Sequence, residues 1–311
     1  MMFEAPEVDR RLPLGDEFFL DHVAHFVTDR DAAIRALTRA GFAPTPVSVQ
    51  VNPDPAGGPA KPAGTGNVTV MLDRGYLEIL FKTAETPLAR EFDASVARYR
   101  GVHLVAFAVT DAAATHARLA GSGFRVQPLV SMQRPVDTAA GPDIAAFSIV
   151  RLAPGEMPEG RIQVLAHRTE HTVWQPRWLD QPNGSYGLID IVVAQADVAE
   201  ATDRFRRFLG RGPREHPFGP AFHLDRGRVQ LVPAAALAEL SPGLAAPDLP
   251  LIAAYGVAVR SLNQAASCLR AGGLSFEQRD RLIIAPFPDD LGIGCWVFTE
   301  RAADLPWRRA G

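Results

Sequence analysis

The side chains best suited to chemistry in this chain are histidines and carboxylates, and the stretch 20–29, Leu-Asp-His-Val-Ala-His-Phe-Val-Thr-Asp, places two histidines in one short run. An imidazole exchanges protons near neutral pH and is a common metal ligand, so such a run is a candidate for either task. Residues 19–27 are rich in aromatic and branched types and read as a strand. Alternation then puts His22, Ala24 and Phe26 on one face and Asp21, Val23 and His25 on the other, so only one of the two imidazoles can face a given cavity. His25, packed beneath a helix, is expected to be a hydrogen-bonded core histidine. Other chemistries are poorly served. The sequence has no Gly-x-Ser-x-Gly elbow and no phosphate-binding glycine loop ending in Lys-Ser or Lys-Thr, and neither Cys268 nor Cys295 has a histidine close by.

These residues need elements to hold them. Thr28-Asp29 can cap a helix whose apolar positions Ala33, Ile34, Leu37 and Ala40 follow a helical period. After that helix (28–42) come a weak strand (46–51), a proline- and glycine-rich segment (52–66) expected as a mobile loop, and two strands (67–72 and 75–81) joined by the turn Asp73-Arg74. The order is βαβββ. A linking helix (87–100) carries Leu88, Phe92, Val96 and Tyr99 on one stripe.

The pattern then recurs. A strand from residue 101 leads to Thr110-Asp111, and the spacing from Thr110 to Phe124 equals that from Thr28 to Phe42, each helix ending at a glycine. Strands at 125–132, 145–152 and 160–166 complete the second unit. Residues 167–184, with Trp174, Trp178 and the turn Pro182-Asn183-Gly184, read as a connection. The third unit has a strand at 188–193, a helix at 197–209 and a strand at 228–232. The fourth has a strand at 251–259, a helix at 261–272 and strands at 275–279, 282–286 and 294–299.

Four such units suit pairwise closure better than an extended solenoid. The expected fold is α+β, four βαβββ modules paired into two curved-sheet, barrel-like domains with a cavity inside each curve. The division is an N-terminal extension (1–17), a domain of modules one and two (18–170), a connection (171–185), a domain of modules three and four (186–302) and a tail (303–311).

Composition bounds the partners. A chain of 311 residues, 47% hydrophobic and 22% charged, can bury two medium cores and is not a disordered or fibrous chain. The net charge of −3 leaves no basic footprint for nucleic acid, so a small-molecule partner is expected. Two cysteines are too few for a disulfide framework or a zinc-thiolate site, which fits a reducing compartment. The acidic N-terminus lacks a basic region followed by an apolar core, and no apolar run approaches membrane-spanning length, so a cytoplasmic location is expected.

The four units, the phrase Leu20-Asp21-His22-Val23, the run Gly64-Thr65-Gly66-Asn67 and the phrase Tyr76-Leu77-Glu78-Ile79-Leu80 together resemble the vicinal oxygen chelate superfamily, in particular its glyoxalase-like domains. The resemblance covers roughly residues 18–299. It implies a cup formed by paired modules and a divalent metal held by side chains from first and last strands, binding two adjacent substrate oxygens. It makes 18–170 a glyoxalase-like domain with the candidate active cup.

Carried over residue by residue, the resemblance puts His22 at the first-strand ligand position and Glu78 at the last-strand position of module one. In module two the first-strand position falls on Leu104, so His103 stands one residue out of phase and faces the cup only if a bulge re-aims it. The last-strand position is Gln163. The implied metal set is therefore His22, Glu78 and His103, with Gln163 and His167 as further ligands, holding iron, manganese, zinc or nickel. Glu78 is also the implied catalytic base. The alternative for His22 and Glu78 is a polar pair across the sheet.

In the second half the matching positions are Asp190, Ala254 and Gln230, a degenerate set. His167 and His171 are expected as solvated histidines at the rim or in the connection, with a proton shuttle as the alternative. Arg74 and Arg151 read as exposed charges that could also meet an anionic substrate. Trp174 and Trp178 read as packing between halves or a cover over the cup. The leading functional expectation is a metal-dependent lyase or isomerase acting on a small oxygen-rich metabolite. An iron-dependent ring-cleaving dioxygenase and a metal-free small-molecule binding protein are the alternatives. The partner is a small molecule, with no nucleic acid or membrane, and a homodimer is left open.

Overall fold

A computed structural model of the chain describes residues 8–52, 57–241 and 243–308. Module one contributes β1 (Phe19–Phe26), β2 (Ser48–Asn52), β3 (Lys61–Met71) and β4 (Tyr76–Lys82), and module two contributes β5 (Gly101–Ala108), β6 (Val130–Thr138), β7 (Gly141–Arg151) and β8 (Arg161–His167). Module three has β9 (Ser185–Gln195), β10 (Ala221–His223) and β11 (Arg228–Pro233), and module four has β12 (Leu251–Val259), β13 (Glu277–Arg279), β14 (Leu282–Pro286) and β15 (Cys295–Thr299). In the place of a further module-three strand there is only the isolated bridge between Arg214 and Ala221.

The order β1-β4-β3-β2-β6-β7-β8-β5 closes into a barrel because β5 also pairs with β1. The second half forms the run β10-β11-β9-β12-β15-β14-β13, which meets the barrel where Ile252 of β12 pairs with Val102 of β5. The fold is thus α+β, built from four modules, three with the full βαβββ order and the third short of one strand. Each first strand pairs in parallel with the last strand of its own module, as Ala24 with Glu78 and Ala106 with Gln163. That shared register is why Glu78 and Gln163 occupy equivalent places.

Helices Arg30–Arg39 and Ala112–Gly121 lie against the outside of the sheet, and the glycines after them adopt positive φ, 77° at Gly41 and 86° at Gly123. A side chain would be strained there, which is why the sequence stops both helices with glycine. At the start of the second helix the Asp111 carboxylate accepts from the backbone N–H of Ala113 (2.8 Å) and Ala114 (3.0 Å). Asp111→Ala is expected to lower stability by about 1 kcal/mol, read as a shift of the urea midpoint at unchanged slope.

Three features differ from expectation. Residues 61–66 are not loop: they extend β3, pairing with β2 at Asn52–Lys61 and Val51–Pro62 and with β4 at Thr65–Lys82, because both neighbours offer unpaired backbone there. Residues 53–56 of that segment lie outside the described residues, as do residues 1–7 of the N-terminal extension and 309–311 of the tail. The strand expected at 125–132 begins at Val130 and runs to Thr138. His167 belongs to β8 rather than to the connection. No helix among the described residues is long and apolar enough to cross a membrane.

Candidate functional site

One cavity inside the barrel is lined by His22 from β1, Asn67 from β3, Glu78 from β4 and Gln163 from β8. Its free volume is about 20 Å3, room for a single water or ion. His22 is 3% exposed and Glu78 5%, so both polar groups are removed from solvent and need partners. His22 stacks on Tyr76 with ring centroids 4.3 Å apart.

The partner of His22 is its neighbour. His22 Nδ1 lies 2.7 Å from Asp21 Oδ2, and His167 Nε2 lies 3.0 Å from Asp21 Oδ1, so one carboxylate joins two imidazoles. Alternation had assigned Asp21 to the far face. In the β1–β5 ladder, however, Leu20 pairs with Phe107 and His22 with Ala106, which leaves Asp21 as an extra residue, a bulge that frees its side chain to turn. Burial alone would raise the Asp21 carboxyl, but the charge and hydrogen bond of His167, followed by those of His22, outweigh it and hold the group well below the usual carboxylate range.

An ionised Asp21 can only accept, so both facing nitrogens donate to it. His22 Nε2 is then left pointing at Glu78 Oε2, 3.7 Å away and beyond hydrogen-bond reach. Glu78 Oε1 is held by Asn67 Nδ2 and, at 3.5 Å, by Gln50 Nε2, whose own carbonyl accepts from Thr65 Oγ1 at 2.6 Å. The remaining oxygen faces the imidazole. Two buried acceptors that face each other need a donor or a cation between them, and a proton on the imidazole, a water in the cavity or a metal ion would each supply one. Gln163 Oε1 and Asn67 Oδ1, on residues lining the same cavity, also lack a partner among the described residues.

The structure brings His22, Glu78 and Gln163 together, and it does not bring His103 to them. A bulge does intervene: Ala24 pairs with Leu104 and His25 with Val102, so His103 is the extra residue of β5. It turns away from the cup. Its Nε2 lies 2.7 Å from the Tyr99 carbonyl and its ring stacks on Tyr99 at 4.0 Å, while Leu104 takes the place on the cavity wall. Gly160 permits this path, since a Cβ there would stand 2.3 Å from the His103 carbonyl oxygen. Among the described residues no group of three His, Cys, Asp or Glu side chains is placed to hold a metal. The donor set present is an imidazole nitrogen, a carboxylate oxygen and an amide oxygen, with a carboxylate behind the imidazole. That set fits a divalent ion, because a metal-bound histidine characteristically donates its other nitrogen to such a carboxylate.

His167 is not solvated. Its side chain is fully buried, edge-on to Phe147 at 5.1 Å and 4.8 Å from Trp174, with Nδ1 unpartnered among the described residues. Trp174 itself is buried, donates to the Leu72 carbonyl and packs on Tyr76, so it walls the site. His171 is exposed, 3.6 Å from Asp143. His25 is a core histidine as expected: Nδ1 donates to the Leu291 carbonyl (2.9 Å), leaving Nε2 to accept from the Tyr255 hydroxyl (2.9 Å).

Arg151 lines the cavity, as do Arg134 of β6 and Arg161 of β8, which the sequence did not single out. Arg74 lies elsewhere, over the Tyr186 ring. In the second half, the registers place Asp190 and Gln230 where His22 and Glu78 stand in the first. Asp190 accepts from Trp307 Nε1 (2.8 Å) and from Arg308 Nε and Nη2 (both 2.7 Å), and Gln230 is bonded to the carbonyls of Gly219 and Pro220.

The sequence profile of the glyoxalase-like domain family matches residues 20–209, from the first strand through the helix Val198–Leu209. No curated protein matches the sequence. Among solved structures, a hypothetical protein from Staphylococcus aureus superposes with a TM-score of 0.61 at 10% identity, over 90% of this chain and 98% of that one. A mutant of 4-hydroxymandelate synthase from Streptomyces coelicolor gives 0.53 at 14% identity, over 91% and 92%. The Mn(II)-bound glyoxalase from Novosphingobium aromaticivorans gives 0.52 at 13%, over 92% and 83%. At these identities the likeness is one of fold. The profile spans more than half of the sequence: the chain belongs to the glyoxalase-like domain family of the vicinal oxygen chelate superfamily.

Proposed function

We propose that the chain is a cytoplasmic enzyme that uses a divalent metal, held by His22, Glu78 and Gln163, to act on a small oxygen-rich metabolite by lyase or isomerase chemistry. Its working domain is 18–170, and 186–302 is a degenerate copy. The observation that carries this reading is the approach of His22 Nε2 to Glu78 Oε2, 3.7 Å apart, with neither atom hydrogen-bonded to any described residue.

When bound, the metal supplies Lewis-acid polarisation of adjacent substrate oxygens. The chain's own residues do the rest. Asp21 fixes the tautomer and direction of His22, and His167 braces Asp21 from its other oxygen. Asn67 and Gln50 hold Oε1 of Glu78, so Oε2 is the oxygen that would face the metal and, on leaving it, would take a proton from a carbon beside a carbonyl and return it. Tyr76 and Trp174 exclude water behind these groups.

A second reading, a metal-free binding protein, draws on Leu104, which fills the fourth ligand position with a side chain that cannot ligate. A proton on His22 would then answer both Asp21 and Glu78. The dioxygenase alternative has no comparable support, because the later modules hold Asp190, Ala254 and Gln230 at their corresponding positions, with Trp307 seated on the first of these.

Metal analysis separates the two readings. Purified protein loaded with manganese, iron, zinc or nickel is expected to bind one equivalent. His22→Ala and Glu78→Ala are expected to lose it, and Asp21→Asn to weaken it by about 10–100-fold in calorimetric titration. No binding under any loading would retire the enzyme reading in favour of the binder.

A further inference from the structure

Three cations converge on the same cavity. Arg134, Arg151 and Arg161 come from β6, β7 and β8, and no hydrogen bond or ion pair joins their guanidinium groups to any described residue. Arg134 is buried at 8% exposed, and Arg151 and Arg161 are half-buried, with Arg151 Nε buried and without a partner. Arg161 lies over the Phe26 ring at 5.3 Å, a contact that leaves its N–H fork free. Glu78 and Glu91 attract these cations from a distance without bonding to them. A cation as buried as Arg134 is costly without a bonded counter-anion, and a guanidinium fork matches the paired oxygens of a carboxylate or phosphate.

The same arginines mark a way in. The cavity is too small for a metabolite as it stands, since ligand sites typically enclose a few hundred Å3. Outside the barrel lies a groove of about 510 Å3 between the helix Pro87–Arg98 and the segment 152–160. Arg151 and Arg161 line both the groove and the inner cavity, so they form the wall between them.

We propose that the substrate is a small anion that enters from this outer groove between Arg151 and Arg161 and is held, by a carboxylate or phosphate group, on Arg134, Arg151 and Arg161, with its remaining oxygens toward His22 and Glu78. This rests on the same cup as the proposed enzyme but not on its metal. Arg134, Arg151 and Arg161 are binding residues in this scheme, and the negative charge of the ligand offsets their excess positive charge.

The test uses chelator-treated, metal-free full-length protein titrated calorimetrically with malonate and, separately, with inorganic phosphate. Saturable binding of at least one is expected, and which of them binds tells the carboxylate from the phosphate class. Arg151→Gln and Arg161→Gln should each weaken it about tenfold or more, while Arg125→Gln, an exposed residue paired with Glu156, should leave it unchanged. Should either arginine variant fold poorly, the wild type still decides, because affinity for these probes must fall as sodium chloride rises. Binding of neither anion, or binding indifferent to both the variants and salt, overturns the proposal. A metal-free protein that binds malonate or phosphate but never takes up metal would reject the metal reading alone.

Discussion

Replacing Trp307 by alanine is expected to cost about 3–5 kcal/mol of stability, one of the largest losses available to a single change in this chain. Trp307 is fully buried and packs with Val192, Ala254, Ile284 and Val297 on one face of the second sheet. Its indole donates to Asp190, its carbonyl accepts from Arg228 Nη1 at 3.0 Å, and Arg308 closes a two-bond pair on Asp190. The alanine variant removes the packing and one of the donors answering a buried carboxylate, so the transfer and cavity costs add. Urea unfolding gives the loss directly. The hole left is the shape of the lost ring, so indole should raise the melting temperature of the variant and not that of the wild type. A loss below about 1 kcal/mol, within the range of ordinary surface changes, would mean that the tail does not fill the second cup.

Acidification should destabilise the protein well before its carboxylates titrate. Burial pushes His25 and His103 down from the usual 6.5 to about 4, only partly offset by their hydrogen bonds to the Leu291 and Tyr99 carbonyls. Both rings are neutral in the fold and take up protons when the chain unfolds. Stability from each is therefore complete above pH 6.5 and is lost as pH falls toward 4. The loss is roughly 2–3 kcal/mol per ring, and the two are not independent because each charge would repel the other. Asp21 adds a second stage of the same sign: its lowered carboxyl contributes stability above the usual 3.8, which is lost as pH falls below that value. Urea midpoints across this range are the measurement. His103→Gln should flatten the upper stage by about half, and a midpoint independent of pH from 6.5 to 4 in the wild type would contradict the buried, neutral state of both rings.

Period-two alternation served well where the ladder is regular. It put His22 inward with Ala24 and Phe26 and His25 outward against Tyr255, and the matched helix lengths and glycine stops disclosed the duplication. It failed at Asp21, which a bulge turns to the site, whereas at His103 the phase was right and only the ligand set implied by the resemblance put that residue in the cup. A bulge is a property of two strands in register, and neither strand alone encodes it. The adjacent pair Asp21-His22 was the available signal, since a carboxylate beside a candidate ligand can brace it once a bulge turns it.

What the sequence by itself determined is the local part: the four-module order, the places where helices start and stop, and the inward direction of positions 22 and 78. Only the tertiary structure decided what gathers around those two. Closing the barrel brought Asn67, Arg134, Arg151, Arg161 and Gln163 from separate strands to one cavity, and the return of the C-terminal segment delivered Trp307 and Arg308 to Asp190. Hydrophobic period and capping are read over a few residues. The convergence of charges follows from pairings between strands far apart in the chain, and no short window of sequence contains it.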